Sequence, residues 1–199
     1  MNDIQSDCQF HSDRIKADLP FVERLTANAA FKVGCLTRSC PRLIQLFESE
    51  VTAIVKVLDG EGFGVLADEG DIRRMAGLRR SSCQWTPLMV VDHLTRYNEF
   101  LFKSIGDLCS VSRFLPEYRY FEPRDVDSDR IDEFQENAWH FISTVNNLIE
   151  NEAMRHAVGT VFHPLYGHVE AKGLLVIAWQ HSRLHRRQIQ RILTEQGMV

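Results

Sequence analysis

Ile131-Asp132-Glu133-Phe134-Gln135-Glu136-Asn137-Ala138-Trp139-His140-Phe141-Ile142-Ser143-Thr144-Val145-Asn146-Asn147-Leu148 sets Ile131, Phe134, Ala138, Phe141, Val145 and Leu148 at steps of 3, 4, 3, 4 and 3. Such steps return side chains to one face of an α-helix, so the stretch predicts a helix with a single heptad-like apolar stripe. Upstream, Trp85-Thr86-Pro87 reads as a helix start, with Thr86 as cap and Pro87 at the first turn, where a missing N–H costs nothing. That helix is expected to run to about Leu108. Ser39-Cys40-Pro41 is a second start of the same kind; Ile44, Phe47, Val51, Ile54, Val55 and Leu58 form its stripe, and Gly60 and Gly62 stop it. Downstream, a helix from about Val169 to Glu195 buries Leu174, Ile177, Ala178, Leu184, Ile189 and Ile192 and ends at Gly197. Four long amphipathic helices and no convincing strand predict an all-α four-helix bundle.

The segments between are less periodic. Residues 1–19 are sparse in apolar side chains and closed by Pro20, which predicts a loose arm. Phe21, Leu25, Ala29, Ala30, Val33 and Leu36 suit a short helix, an added lid on the bundle. The chain therefore divides into a partly helical N-terminal extension, 1–39, and one bundle domain, 40–199. Residues 59–84 read as a long connection with a turn of helix around Asp71 to Leu78. Cys109 to Asp127 has the length of a crossover rather than a tight turn, so the helices on either side should run parallel. Residues 153–169, with Gly159, His163-Pro164 and Gly167-His168, read as a loop rich in turn formers.

Composition removes several classes. The chain has 199 residues, 44% hydrophobic and 25% charged, which fits one ordinary globular domain. With a net charge of -4 and basic residues not pooled into a stripe, no footprint for nucleic acid stands out. The polar start, Met1 to Asp7, is unlike a secretory signal, and the longest apolar run, Leu174 to Trp179, is far short of the roughly 20 residues that span a membrane. A soluble cytoplasmic protein is expected. The five cysteines, Cys8, Cys35, Cys40, Cys83 and Cys109, are odd in number and scattered, which reads as reduced packing residues rather than a disulfide scaffold or a zinc ribbon.

The chemistry concentrates in His181-Ser182-Arg183-Leu184-His185. At i, i+4 the two imidazoles stand one above the other, roughly 5–6 Å apart at Cβ, and can reach one ion. Leu174, Ile177, Ala178, His181, Leu184, His185, Gln188 and Ile192 fall on one side of this helix, and Arg183, Arg186, Arg187 and Gln190 on the other, so both histidines face the core. Burying two imidazoles costs free energy unless their nitrogens are paired, which calls for a metal or for a dedicated hydrogen-bond network. Bundles build metal sites from side chains on facing helices, and His93, flanked on its face by Met89, Tyr97 and Phe100, qualifies as a third ligand.

Trp85-Thr86-Pro87 followed by Asp92-His93-Leu94 resembles the tryptophan-then-His-Leu signature of the DinB-like (DinB/YfiT-like) superfamily of metalloenzymes. His163-Pro164-Leu165-Tyr166-Gly167, then Trp179-Gln180-His181, His185 and Gln188-Ile189, is similar to the ending of its second sequence family. The resemblance covers roughly residues 40–195 and leaves the N-terminal extension without a counterpart. It implies an up-down-down-up bundle with an open three-histidine site, which carries over to His93, His181 and His185. It also implies a homodimer and small-molecule chemistry, since characterised relatives include thiol-dependent transferases and isomerases. Thr86 stands where serine is commoner and keeps the capping hydroxyl.

Three neutral imidazoles leave a divalent ion with open positions, which favours catalysis over bracing. Such an ion lowers the pKa of water, polarises a carbonyl or holds a thiolate, and imidazole-only ligation suits zinc first, with nickel or iron as alternatives. The expected function is a metal-dependent hydrolase or thiol-dependent transferase acting on a small molecule, against the alternative of a non-catalytic metal-binding or stress-response bundle. Catalytic candidates are Tyr97, which reads first as a core aromatic, Gln188, which reads equally as a rim residue, and His163, which reads first as a loop cap. Glu152 and Glu170 follow by elimination. His11, His140, His156 and His168 read as surface or turn residues, and the Arg183, Arg186, Arg187 group reads as a solvated face before an anion site.

Overall fold

The computed structural model describes residues 19–59, 61–68, 70–110, 121–123 and 129–198. The expected arm over 1–18, with Cys8 and His11, and most of the expected crossover, 111–120 and 124–128, lie outside those residues. The described chain is mostly helical: α1 Phe21–Thr37, α2 Cys40–Leu58, α3 Phe63–Ala67, α4 Pro87–Cys109, α5 Arg130–Glu150, α6 Ala153–His156 and α7 Ala171–Glu195, with a short 3-10 turn at Ser81–Gln84. Local chemistry sets the starts. Ser39 and Thr86 each accept from the backbone N–H three residues on, Arg42 at 3.4 Å and Met89 at 3.0 Å, and each is followed by a proline in the first turn.

The four long helices pack in pairs, α2 on α5 and α7, and α4 on α5 and α7. The stripe first read on α5 lies at the centre of this packing: Phe134, Ala138, Phe141 and Val145 are buried, and Phe141 packs its ring against Phe47 of α2 at 4.9 Å between centroids. Full burial of the larger of these side chains, Phe134, Phe141 and Val145, stabilises by roughly 1.5–3 kcal/mol each relative to exposure. No helix among the described residues is long and apolar enough to cross a membrane.

Two segments differ from the sequence-based expectation. Residues 153–169 contain a small antiparallel hairpin, β1 Val161–His163 and β2 Gly167–Val169, in register Val161 with Val169 and His163 with Gly167. Strands of three residues are too short to display a period of two, and Gly167 at φ 76 closes the turn. The turn of helix expected around Asp71 to Leu78 is absent. Helix forms on either side of it instead, in α3 and the 3-10 turn, and the Ile72 N–H bonds to the Cys83 carbonyl at 3.1 Å.

The helix α1 lies along α7. A Cβ at Gly34 would fall 2.7 Å from Val176 and one at Gly173 would fall 2.6 Å from Val169, so these two glycines let the α1 backbone approach α7 and the hairpin approach α7's first turn. The inner side of α1 thus joins the molecule, and Phe21, Leu25 and Leu36 stay exposed on its outer side.

Candidate metal centre

Two helices bring the three predicted histidines together. His93 stands on α4, and His181 and His185 stand one turn apart on α7, so packing α4 on α7 completes the group. Their ligand nitrogens all lie within 4.8 Å of one another. His181 Nε2 is 3.2 Å from His93 Nε2 and 3.1 Å from His185 Nε2. Nitrogens about 2.0–2.1 Å from a tetrahedral zinc ion sit roughly 3.3 Å apart, so the spacing suits a shared ion.

The hydrogen bonds behind the rings fix which nitrogen carries the proton. His93 Nδ1–H donates to the Phe121 carbonyl at 2.5 Å. His185 Nδ1–H donates to Gln188 Oε1 at 2.7 Å, and the Gln188 amide donates in turn to the Ser82 carbonyl at 2.7 Å, which settles the amide's orientation. Both Nε2 atoms therefore present lone pairs to His181 Nε2. That atom holds at most one proton, so at most one of the two N···N approaches is a hydrogen bond. His181 Nδ1 is buried and without a partner among the described residues. Ligand histidines oriented by an outer carbonyl or amide are the usual construction of a metal site. Burial pushes His93 down to about 4 and His185 down to about 3, against the favourable bonds to Phe121 and Gln188, and it holds His181 well below the usual imidazole range. All three are neutral at pH 7, the form that binds metal.

The histidines open onto a cavity of about 260 Å³. Trp85 lines it, its ring 5.0 Å from that of His93 and stacked at 15° on that of His185. Tyr97 lies against His181 with ring centroids 4.1 Å apart, and its hydroxyl is 3.0 Å from His163 Nε2. The Leu165 N–H donates to His163 Nδ1 at 3.1 Å, so in neutral His163 the proton is on Nε2 and goes to the Tyr97 oxygen. Burial holds His163 down to about 3. Accepting from His163 leaves the Tyr97 O–H as the side chain's donor.

Of the other sequence candidates, Gln188 lies behind His185 rather than in the cavity, and Glu152 and Glu170 are not among the cavity's lining residues. His140, His156 and His168 are exposed. Cys35, Cys40, Cys83 and Cys109 are free thiols pushed up by burial. Arg186 pairs with Glu50 at 2.5 Å.

Sequence reasoning missed what α1 and the backbone contribute. Leu19, Glu23 and Ala27 form a wall of the cavity. Both carboxylate oxygens of Glu23 accept from Arg74, at 2.8 and 2.7 Å, and one also accepts from the Gly77 N–H at 3.0 Å. Asn28 donates to the Leu165 carbonyl at 3.2 Å. The carbonyls of Phe121 and Ser82 that orient the ligands leave no mark in a sequence.

No protein-family model matches the chain, and no curated protein does. The site therefore rests on its own geometry.

Proposed function

We propose that the chain is a divalent-metal enzyme of the DinB-like kind, a four-helix bundle of up-down-down-up course, acting on a small molecule as a hydrolase or thiol-dependent transferase. The observation that carries the proposal is the convergence of three Nε2 atoms on one cavity, those of His93 and His185 held unprotonated by hydrogen bonds behind their rings. His93, His181 and His185 would hold the ion, zinc first and nickel or iron as alternatives. When bound, the ion supplies Lewis acidity at the cavity floor.

The chain's own residues supply the rest. Tyr97, held by His163, donates a hydrogen bond to a polar group of the substrate beside the histidines. Trp85, Leu78, Ile177 and Leu184 give the substrate apolar walls and limit water. The cavity is larger than the roughly 150 Å³ that accepts benzene and below the roughly 300–1,000 Å³ of drug-sized sites, which points to a small substrate or the reactive end of a larger one. The homodimer implied by the resemblance belongs to the same proposal.

The test is elemental analysis of the purified protein followed by zinc and nickel titration, with His181→Ala in parallel. Stoichiometric metal that the variant lacks, and turnover of small esters or thiol acceptors lost with it, are the expected results. Protein that carries no metal and takes up none would sink the proposal, and metal uptake without turnover would point to a non-catalytic metal-binding bundle.

A further inference from the structure

Four guanidinium groups border an open cleft of about 520 Å³ on the solvent side of α7. Arg73 and Arg74 come from the connection before the 3-10 turn, and Arg187 and Arg191 from successive turns of α7, with Gln190 and Thr194 between and beyond them. Among the described residues, no acidic side chain lines the cleft. Glu23 neutralises Arg74, and Glu195 pairs with Arg191 at 2.5 Å. Among the described residues Arg73 and Arg187 make no ion pair, so two positive charges stay uncompensated in a chain whose net charge is -4. The helix dipole favours cations only in the last turn. Arg187 stands two turns before Glu195, and Arg73 is on another segment, so the dipole does not account for either. Arg187 and Arg191, at i, i+4, repel one another. Gln190 spends its carbonyl oxygen on Arg186 at 2.9 Å and so offers the cleft its amide N–H.

We propose that this cleft binds a small phosphate dianion, free or as a phosphomonoester, between the guanidinium forks of Arg73 and Arg187. Two guanidinium forks lining one cleft match the charge and the several acceptor oxygens of a phosphate. The cleft shares no lining residue with the histidine cavity, so its failure leaves the metal proposal untouched.

The experiment follows the arginine side-chain Nε–H resonances while inorganic phosphate, glycerol phosphate or chloride is added at matched ionic strength. Saturable shifts at Arg73 and Arg187 with phosphate but not chloride are expected. The Arg73→Gln, Arg187→Gln double variant should bind at least about tenfold more weakly, as loss of charge-assisted bonds implies; Arg155→Gln, a surface control, should bind as before. Both cleft arginines are exposed, and an unchanged unfolding temperature checks that the double variant folds. Tighter binding of glycerol phosphate would identify the monoester as the ligand, and equal binding the free anion. Phosphate shifts no larger than those of chloride, or binding that survives the double variant, would overturn the proposal.

Discussion

The inner and outer faces of α7 carry candidate ligand groups of opposite kinds. The inner face presents two neutral imidazoles, His181, half-buried, and His185, buried and oriented by a chain of bonds through Gln188 to Ser82. The outer face presents Arg187 and Arg191, exposed and permanently charged. A lone pair in a dry interior is useful only when its tautomer and direction are fixed, so the inner cluster depends on residues behind it. A guanidinium in water needs no such support but is screened by salt. Changes on the inner face should therefore be large and dependent on pH, and changes on the outer face small and dependent on ionic strength.

The sharpest way to break that contrast is His181. Its Nδ1 has no partner among the described residues and its Nε2 faces two other nitrogens. His181→Leu should abolish stoichiometric metal binding in a zinc titration. In metal-free protein it should leave stability to urea unchanged or raise it by about 1 kcal/mol, because it removes a buried polar group with poor partners. A loss of about 3 kcal/mol in the metal-free protein would mean that the histidine braces the core instead.

Acid separates the two faces next. His93, His185 and His163 bind protons more weakly folded than unfolded, with folded values of about 4, 3 and 3. Their neutral burial stabilises fully above the unfolded value of about 6.5, and the contribution is lost as pH falls below it toward the folded values. At pH 5 each costs about 2 kcal/mol relative to pH 7. Urea unfolding of metal-free protein at the two pH values should show a steep loss, and metal affinity should fall with it, since protons and metal compete for the same nitrogens. Arginine charge does not change in this range, so phosphate binding in the outer cleft should respond to pH only through the phosphate.

Gln188→Leu probes the support behind the inner face. It strands the His185 Nδ1–H inside the protein, leaves the Ser82 carbonyl only the Trp85 N–H, and frees the ring to turn. Metal affinity should drop about 10- to 100-fold, and stability by about 1–3 kcal/mol. Equal metal affinity in the variant, measured by competition with a chromophoric chelator, would show that His185 is held by packing alone.

How much of this was legible depended on whether the information lies in side chains at a regular spacing. The α5 stripe and the Thr86-Pro87 start were readable because period and capping are local, and His181 with His185 because i, i+4 is a fixed distance on a helix. His93 needed the inward side of α4 as well. The hairpin at 161–169 escaped because three-residue strands have no readable period. Phe121 and Ser82 act through carbonyls, which every residue has. Glu23 was unreadable for a third reason: its partners Arg74 and Gly77 lie more than fifty positions away in irregular chain, where no periodicity links them.

The helix α1 joins the two faces, and Glu23→Gln tests that link with the smallest expected effect. Glu23 lines the histidine cavity, and the guanidinium that grips it borders the arginine cleft. The pair is partly exposed, so the variant should lose less than about 1 kcal/mol. Hydrogen bonding to Arg74 holds the Glu23 carboxyl below its usual range, so the pair's contribution is present above the ordinary carboxylate pKa and fades as pH falls through the folded value. If α1 is a wall of the cavity and not part of the ligand set, the variant should release metal to a chelator faster while binding it as tightly at equilibrium. A change in equilibrium affinity as large as that of Gln188→Leu would instead make α1 part of the support for the histidines.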